Sequence, residues 1–111
     1  MRARTLCLIL GLCLPGASAR AGDPPAALQL TIRDHRFVPA EIEVPAGAAA
    51  LILVVNEDPA PEEVESKELQ IEKVVPANAT SKIRLRPLAP GRYPFFGEYH
   101  PDTAQGAVVV K

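Results

Sequence analysis

The sequence predicts an all-β domain, a sandwich of two sheets, and three observations carry that expectation. Short apolar segments alternate apolar and polar residues with a period of two. Twelve prolines among 111 residues break the chain every few positions, which is hostile to a helical bundle. Turn signals recur between the segments at the spacing of a sandwich's hairpins. The length fits one domain.

Residues 1–19 have the form of a secretory signal peptide. Arg2 and Arg4 precede an apolar run from Thr5 to Leu14, and Ala17-Ser18-Ala19 supplies the small-x-small ending. The run is shorter than the ~20 residues that span a bilayer. Cleavage after Ala19 is expected, with Ala21 as the alternative. Cys13 follows Leu12, too bulky for a lipoprotein signal. Cleavage removes Cys7, Cys13, Arg2 and Arg4, leaving 10 basic and 13 acidic residues, a net charge of −3. The expectation is a periplasmic protein with neither a disulfide nor a thiolate to offer a metal. Near-neutral charge without a basic block argues against nucleic acid as a partner.

Residues 20–27 read as a flexible leader and 28–111 as the domain. Leu28–Ile32 alternates cleanly. Ile42-Glu43-Val44 alternates and is stopped by Pro45-Ala46-Gly47. Ala49–Val55 is almost continuously apolar, as in a strand covered on both faces. Residues 57–73 carry seven acidic side chains, and a loop entering an irregular strand is the preferred reading over a short helix starting at Pro61. Thr80–Leu85 places Ile83 and Leu85 inward, with Lys82, Arg84 and Arg86 outward. Leu88-Ala89-Pro90-Gly91 is a turn, followed by strands over Arg92–Phe96 and Ala107–Val110. Pro94 requires its missing N–H to face outward or lie at a sheet edge. Seven or eight strands result. No nucleophile motif and no phosphate-binding loop is present.

Three stretches together resemble the cupredoxin family, which implies a Greek-key β-sandwich of the cupredoxin type. Ile32–Gly47, with His35, Phe37 and Pro39, is similar to that family's opening strand, bend and second strand. Leu53-Val54-Val55-Asn56 is similar to the strand ending in Asn before its first metal ligand. Pro90–His100, ending in Gly106–Val110, resembles the strand–loop–strand that supplies the other ligands. The blue-copper set is not retained. With His100 on the family's second His, Gly97 stands where the thiolate belongs, and Ala104 or Gln105 stands where Met belongs. The first His position falls on Glu62 or Glu63.

A closer resemblance is to the small cupredoxin-like components of bacterial iron-uptake systems, carried by Glu62–Ser66 and Phe95–Gly106. It implies a site rich in Glu, holding a copper or iron ion, with an inner-membrane iron permease and other periplasmic components as partners. The metal ligands expected from it are Glu63, Glu98 and His100, with Glu65 and His35 completing the set; Glu62 stays open as the alternative to Glu63, should Val64 pack inward. Two carboxylates about 5 Å apart repel by roughly 3 kcal/mol at an effective dielectric of 20, so converging glutamates need a cation or a shared proton. In a strand, residues two apart share a face, which would let Glu98 and His100 serve one ion. The expected role is metal binding in iron or copper uptake, either oxidising ferrous iron or passing the ion to a permease. A non-redox copper or iron carrier and a metal-free adaptor stay open. Without a metal, the acidic run is a solvated face and His35 an exposed turn residue.

Overall fold

A computed structural model describes residues 26–111; the expected signal peptide and most of the expected leader lie outside the described residues. Nine strands follow one another: β1 (Ala26–Arg33), β2 (Arg36–Val38), β3 (Glu41–Val44), β4 (Ala50–Asn56), β5 (Glu62–Ser66), β6 (Ile71–Val75), β7 (Thr80–Leu85), β8 (Gly91–Gly97) and β9 (Gln105–Val110). They form two sheets, ordered β2-β1-β4-β7 and β3-β9-β8-β5-β6. No helix occurs among the described residues. The all-β sandwich expected from the alternation is the fold observed.

The alternation places one face of each strand in the core. Leu30 and Ile32 of β1, Ile52 and Val54 of β4, and Ile83 and Leu85 of β7 meet Val64 of β5, Phe95 of β8 and Val108 and Val110 of β9. Each such side chain contributes about 1.5–3 kcal/mol when fully buried. Phe37 and Phe95 bridge the two sheets edge to face, with centroids 4.9 Å apart. Gly106 is dictated by this contact, because a Cβ there would come within 2.6 Å of the Phe95 ring and 2.7 Å of the Ala40 carbonyl. The chain changes sheet between β2 and β3 and between β3 and β4. In consequence β1 pairs with β4, and β3 with β9, in parallel, while the remaining pairs are antiparallel.

Four expectations need correction. The strand count is nine among the described residues against the seven or eight expected, the short β2 and β6 being the strands not expected. Strand β1 begins at Ala26, inside the expected leader. Strand β4 is buried on one face; Leu51, Leu53 and Val55 on the other are half-exposed, since no further layer among the described residues covers that sheet. Residues 57–73 open with the expected loop, but it enters not one irregular strand but β5, a turn and the start of β6, so Leu69 is buried from the turn. Pro94 lies in β8, between β5 and β9 in sheet order, beyond the two residue pairs that join β8 to β5. Its carbonyl accepts the Ser66 hydroxyl at 2.7 Å. No ladder bond is lost to the missing N–H on the β9 side either, because its partner Ala107 donates to the Ala40 carbonyl.

Candidate functional site

The site is built at one end of the sandwich, beginning from Asn56 at the end of β4. Its side chain is buried, and Nδ2 donates to the carbonyls of Ala60 (2.9 Å), Val75 and Pro76 (both 3.2 Å). Oδ1 accepts the N–H of Asp58 at 3.0 Å. One buried amide thus satisfies backbone groups of the 57–61 loop and of the end of β6. The loop then delivers β5 with Glu62, Val64 and Ser66 facing the core and Glu63 and Glu65 facing out.

Glu62 is 1% exposed. An isolated carboxylate at that depth costs several kcal/mol, so its partners decide whether it is tolerated. Oε1 accepts the N–H of Tyr99 at 3.0 Å and of Glu63 at 3.1 Å, and Oε2 lies 2.5 Å from Nδ1 of His100. His100 sits in the turn between β8 and β9, held where its carbonyl accepts the N–H groups of Thr103 and Ala104. Gly97, the last residue of β8, makes room for this arrangement. A Cβ there would lie 2.6 Å from the Ala104 Cβ and 2.7 Å from the Glu62 Cδ. The space that a cysteine at position 97 would need is therefore taken by the glutamate.

The third member comes from the other sheet. Asp34 and His35 form the two-residue connection between β1 and β2, with φ of 52° and 57°. Positive φ at both central residues is the requirement of a type I′ hairpin turn, whose second position ordinarily takes glycine. The His35 ring stacks on that of His100, centroids 3.6 Å apart and planes 13° apart. One donor atom from each of His35, Glu62 and His100 lies within 4.8 Å of the others. Asp58 stands behind His35. Burial pushes its carboxyl up, but the backbone N–H groups of His35 and Asp34 and the two imidazoles outweigh this and hold it below the usual carboxylate range.

Of the residues expected from the sequence, the structure brings together His35 and His100 and leaves Glu63, Glu65 and Glu98 apart from them. Glu63 is displaced from the gathering by its neighbour: Val64 packs inward opposite Gly97, so Glu62 turns in. Glu98 does not share a face with His100, because β8 ends at Gly97 and residues 98–103 turn. Glu63, Glu65, Glu72 and Glu98 instead crowd the outer face of the sheet. The Glu65 carboxyl is pushed up to about 7, first by a hydrogen bond shared with Glu98, then by burial and the surrounding negative charge. Burial followed by Glu72 and Glu98 raises Glu63, with the Tyr99 hydroxyl opposing. Ala104 is buried behind Gly97 and Gln105 is exposed, so neither stands in for a sulfur ligand. Asp58 was not signalled by the sequence; only the fold carries it to the β1–β2 turn, 24 residues away from Asp34 along the chain.

An imidazole pair with one carboxylate is a nitrogen-and-oxygen set that suits Cu(II), Zn(II) or iron. It does not suit the blue-copper chemistry of a thiolate, and no cysteine falls within residues 26–111. The profile of the cupredoxin-like domain family matches residues 5–110. The uncharacterized protein RP394 of Rickettsia prowazekii (strain Madrid E) is 43% identical over 83 residues, which is 75% of this chain and 66% of that protein's length. Among solved structures, the metal-binding domain of the Cu(I)-exporting P-type ATPase CopA of Streptococcus pneumoniae D39, with Cu(I), is similar at 21% identity (77% of this chain, 84% of that one) with a TM-score of 0.68. Auracyanin A, a "blue" copper protein of Chloroflexus aurantiacus, is similar at 15% identity (79% and 100%) with a TM-score of 0.67. Amicyanin from Paracoccus versutus is similar at 20% identity (81% and 86%) with a TM-score of 0.61. At these identities the likeness to the solved structures is one of fold.

Proposed function

The chain belongs to the cupredoxin-like domain family, and from that premise we propose that it binds one transition-metal ion through His35, Glu62 and His100. The observation that carries this reading is Glu62, a carboxylate buried at the end of the sandwich with one oxygen against the His100 imidazole, on which the His35 ring is stacked. A group buried at such cost, and with a glycine opposite to accommodate it, has a task that surface solubility does not explain. Copper is the metal named for the similar solved structures, and intrinsic affinity for nitrogen and oxygen donors peaks at Cu(II).

The finer reading places the protein in the periplasm with iron as its substrate or cargo. A carboxylate is a hard ligand that favours Fe(III) over Fe(II), so it lowers the potential of bound iron and eases loss of one electron to an acceptor. Oxidised ion then passes to an inner-membrane permease. His35 and His100 are partly open to solvent on their side chains, 45% and 28%, which leaves a route for an ion to enter and leave. A carrier that binds and hands on without redox change uses the same residues.

Metal titration separates the readings. Equilibrium dialysis at pH 7 against Cu(II), Zn(II) and Fe(II) is expected to give one ion per chain in the wild type and a loss of binding in Glu62→Ala. Anaerobic Fe(II) with a one-electron acceptor such as ferricytochrome c is expected to react faster with the wild type than with that variant, each Fe(II) giving one Fe(III) and one reduced acceptor. Binding without faster oxidation leaves the carrier. No stoichiometric binding of any of the three ions ends the metal reading.

A further inference from the structure

The β1–β2 turn is an uneconomical place for a histidine. Left-handed backbone costs an L-residue roughly 1–2 kcal/mol, and here two consecutive residues adopt it. Such a conformation persists only where the surroundings over-determine it. Asp58 supplies the determination. Its Oδ1 accepts the Asp34 N–H at 2.8 Å and its Oδ2 accepts the His35 N–H at 2.9 Å, so one carboxylate closes the turn with two charge-assisted bonds. The same Oδ2 lies 3.5 Å from Nδ1 of the His35 ring. Asp58 is itself 6% exposed and tied through its N–H to Asn56, which also ties down the loop leading to Glu62.

We propose that Asp58 is a positioning residue for metal binding: it locks the β1–β2 turn and selects the His35 tautomer that carries its proton on Nδ1, leaving Nε2 free as the donor atom. This rests on the metal reading above. The negative charge beside Nδ1 stabilises a proton there, and the state of one ring nitrogen sets what the other can do. A second carboxylate that orients a metal-binding histidine is worth about 10–100-fold in affinity. Asp58 does so from the loop between β4 and β5, four residues before Glu62, and the two carboxylates divide the work. Glu62 faces the ion and Asp58 faces the ligand's far side.

The test uses the metal-free protein and Asp58→Asn, which keeps the side chain's shape but turns one acceptor into a donor facing an N–H. Long-range 1H–15N correlation at about pH 8, above the ordinary histidine range, reads the His35 tautomer directly. The wild type is expected to show the proton on Nδ1, and the variant a shift of population towards Nε2–H. Cu(II) affinity, measured by competition with a chelator, is expected to fall about 10–100-fold in the variant. A wild-type His35 protonated on Nε2 overturns the proposal even if the variant does not fold. So does a folded variant whose Cu(II) affinity stays within about threefold of the wild type. A wild type that binds no Cu(II) fails differently: it removes the metal reading, and with it Asp58's role in affinity, while the spectrum still judges which nitrogen Asp58 holds protonated.

Discussion

Gly97 and Glu62 are a matched pair, and neither residue can be understood alone. The glycine hydrogen leaves the volume that the Glu62 carboxylate fills, with Ala104 closing the other side. Adding one methyl group overpacks a site already filled by the Ala104 Cβ and the Glu62 carboxylate, a change that typically costs about 1–3 kcal/mol. Gly97→Ala is expected to lower the unfolding free energy by that order in urea titrations and to weaken metal binding as Glu62 is pushed off the His100 ring. A variant as stable as the wild type, with full affinity, means that the carboxylate yields without consequence and is not held in place by this contact. In the core, two backbone N–H groups and one imidazole meet the oxygens of Glu62. Removing the carboxylate would leave those part-buried donors without their protein acceptor, at a cost of up to about 1–3 kcal/mol for each one that water does not reach.

At the scale of the element, strand β5 carries carboxylates on both faces and treats them oppositely. The inward one is met by donors; the outward ones, Glu63 and Glu65, face Glu72 of β6 and Glu98 of the turn after β8, so that like charges gather there. Glu65 therefore binds its proton more tightly in the folded chain, at about 7 against an ordinary 4.5. Its contribution to stability is fully present below about pH 4.5 and is lost as pH rises through about 7. Denaturant unfolding should thus show stability declining between about pH 5 and pH 8, with the decline flattened in Glu65→Gln. An identical slope in the two proteins would remove carboxylate crowding as its cause. Strand β7 has no such conflict: Lys82 and Arg84 are exposed and solvated, and beyond it Arg86 reaches back to the carbonyls of Leu69 and Glu68.

For the whole molecule, the site exists only when both sheets are in place. His35 comes from the sheet of β1 and β4, while Glu62 and His100 come from the facing sheet and lie 38 residues apart in the chain. An ion that binds this gathered set and not the unfolded chain stabilises the fold by RT ln(1 + [L]/Kd), about 2.7 kcal/mol at a hundredfold excess over Kd. The melting temperature is accordingly expected to rise on adding Cu(II) or Zn(II), to return on chelation, and to stay unmoved in His100→Ala. A rise of equal size in that variant would place the ion elsewhere, the outer glutamates being the obvious alternative.

By itself the sequence determined the sandwich. Alternating segments and the turn residues between them are local properties, and Leu28–Ile32, Ile42–Val44 and Thr80–Leu85 could each be read without knowing their neighbours. The family likeness, not local pattern, assigned the two histidines and the glycine at position 97 to one end. The inward face of β5 was legible in part, since Val64 in the core implies Glu62 beside it, but the family likeness pointed to Glu63 instead. A strand's faces exchange with a shift of one residue, so the choice depends on register. Register here is set by Val64 lying opposite Gly97 and by Asn56 gathering the preceding loop, contacts that span 33 residues in one case and join three elements in the other. The same holds for Asp58, an ordinary loop aspartate in the sequence until the fold carries the β1–β2 turn onto it. Long-range pairing decided which acids meet the imidazoles, because distance along the chain carries no record of distance in space.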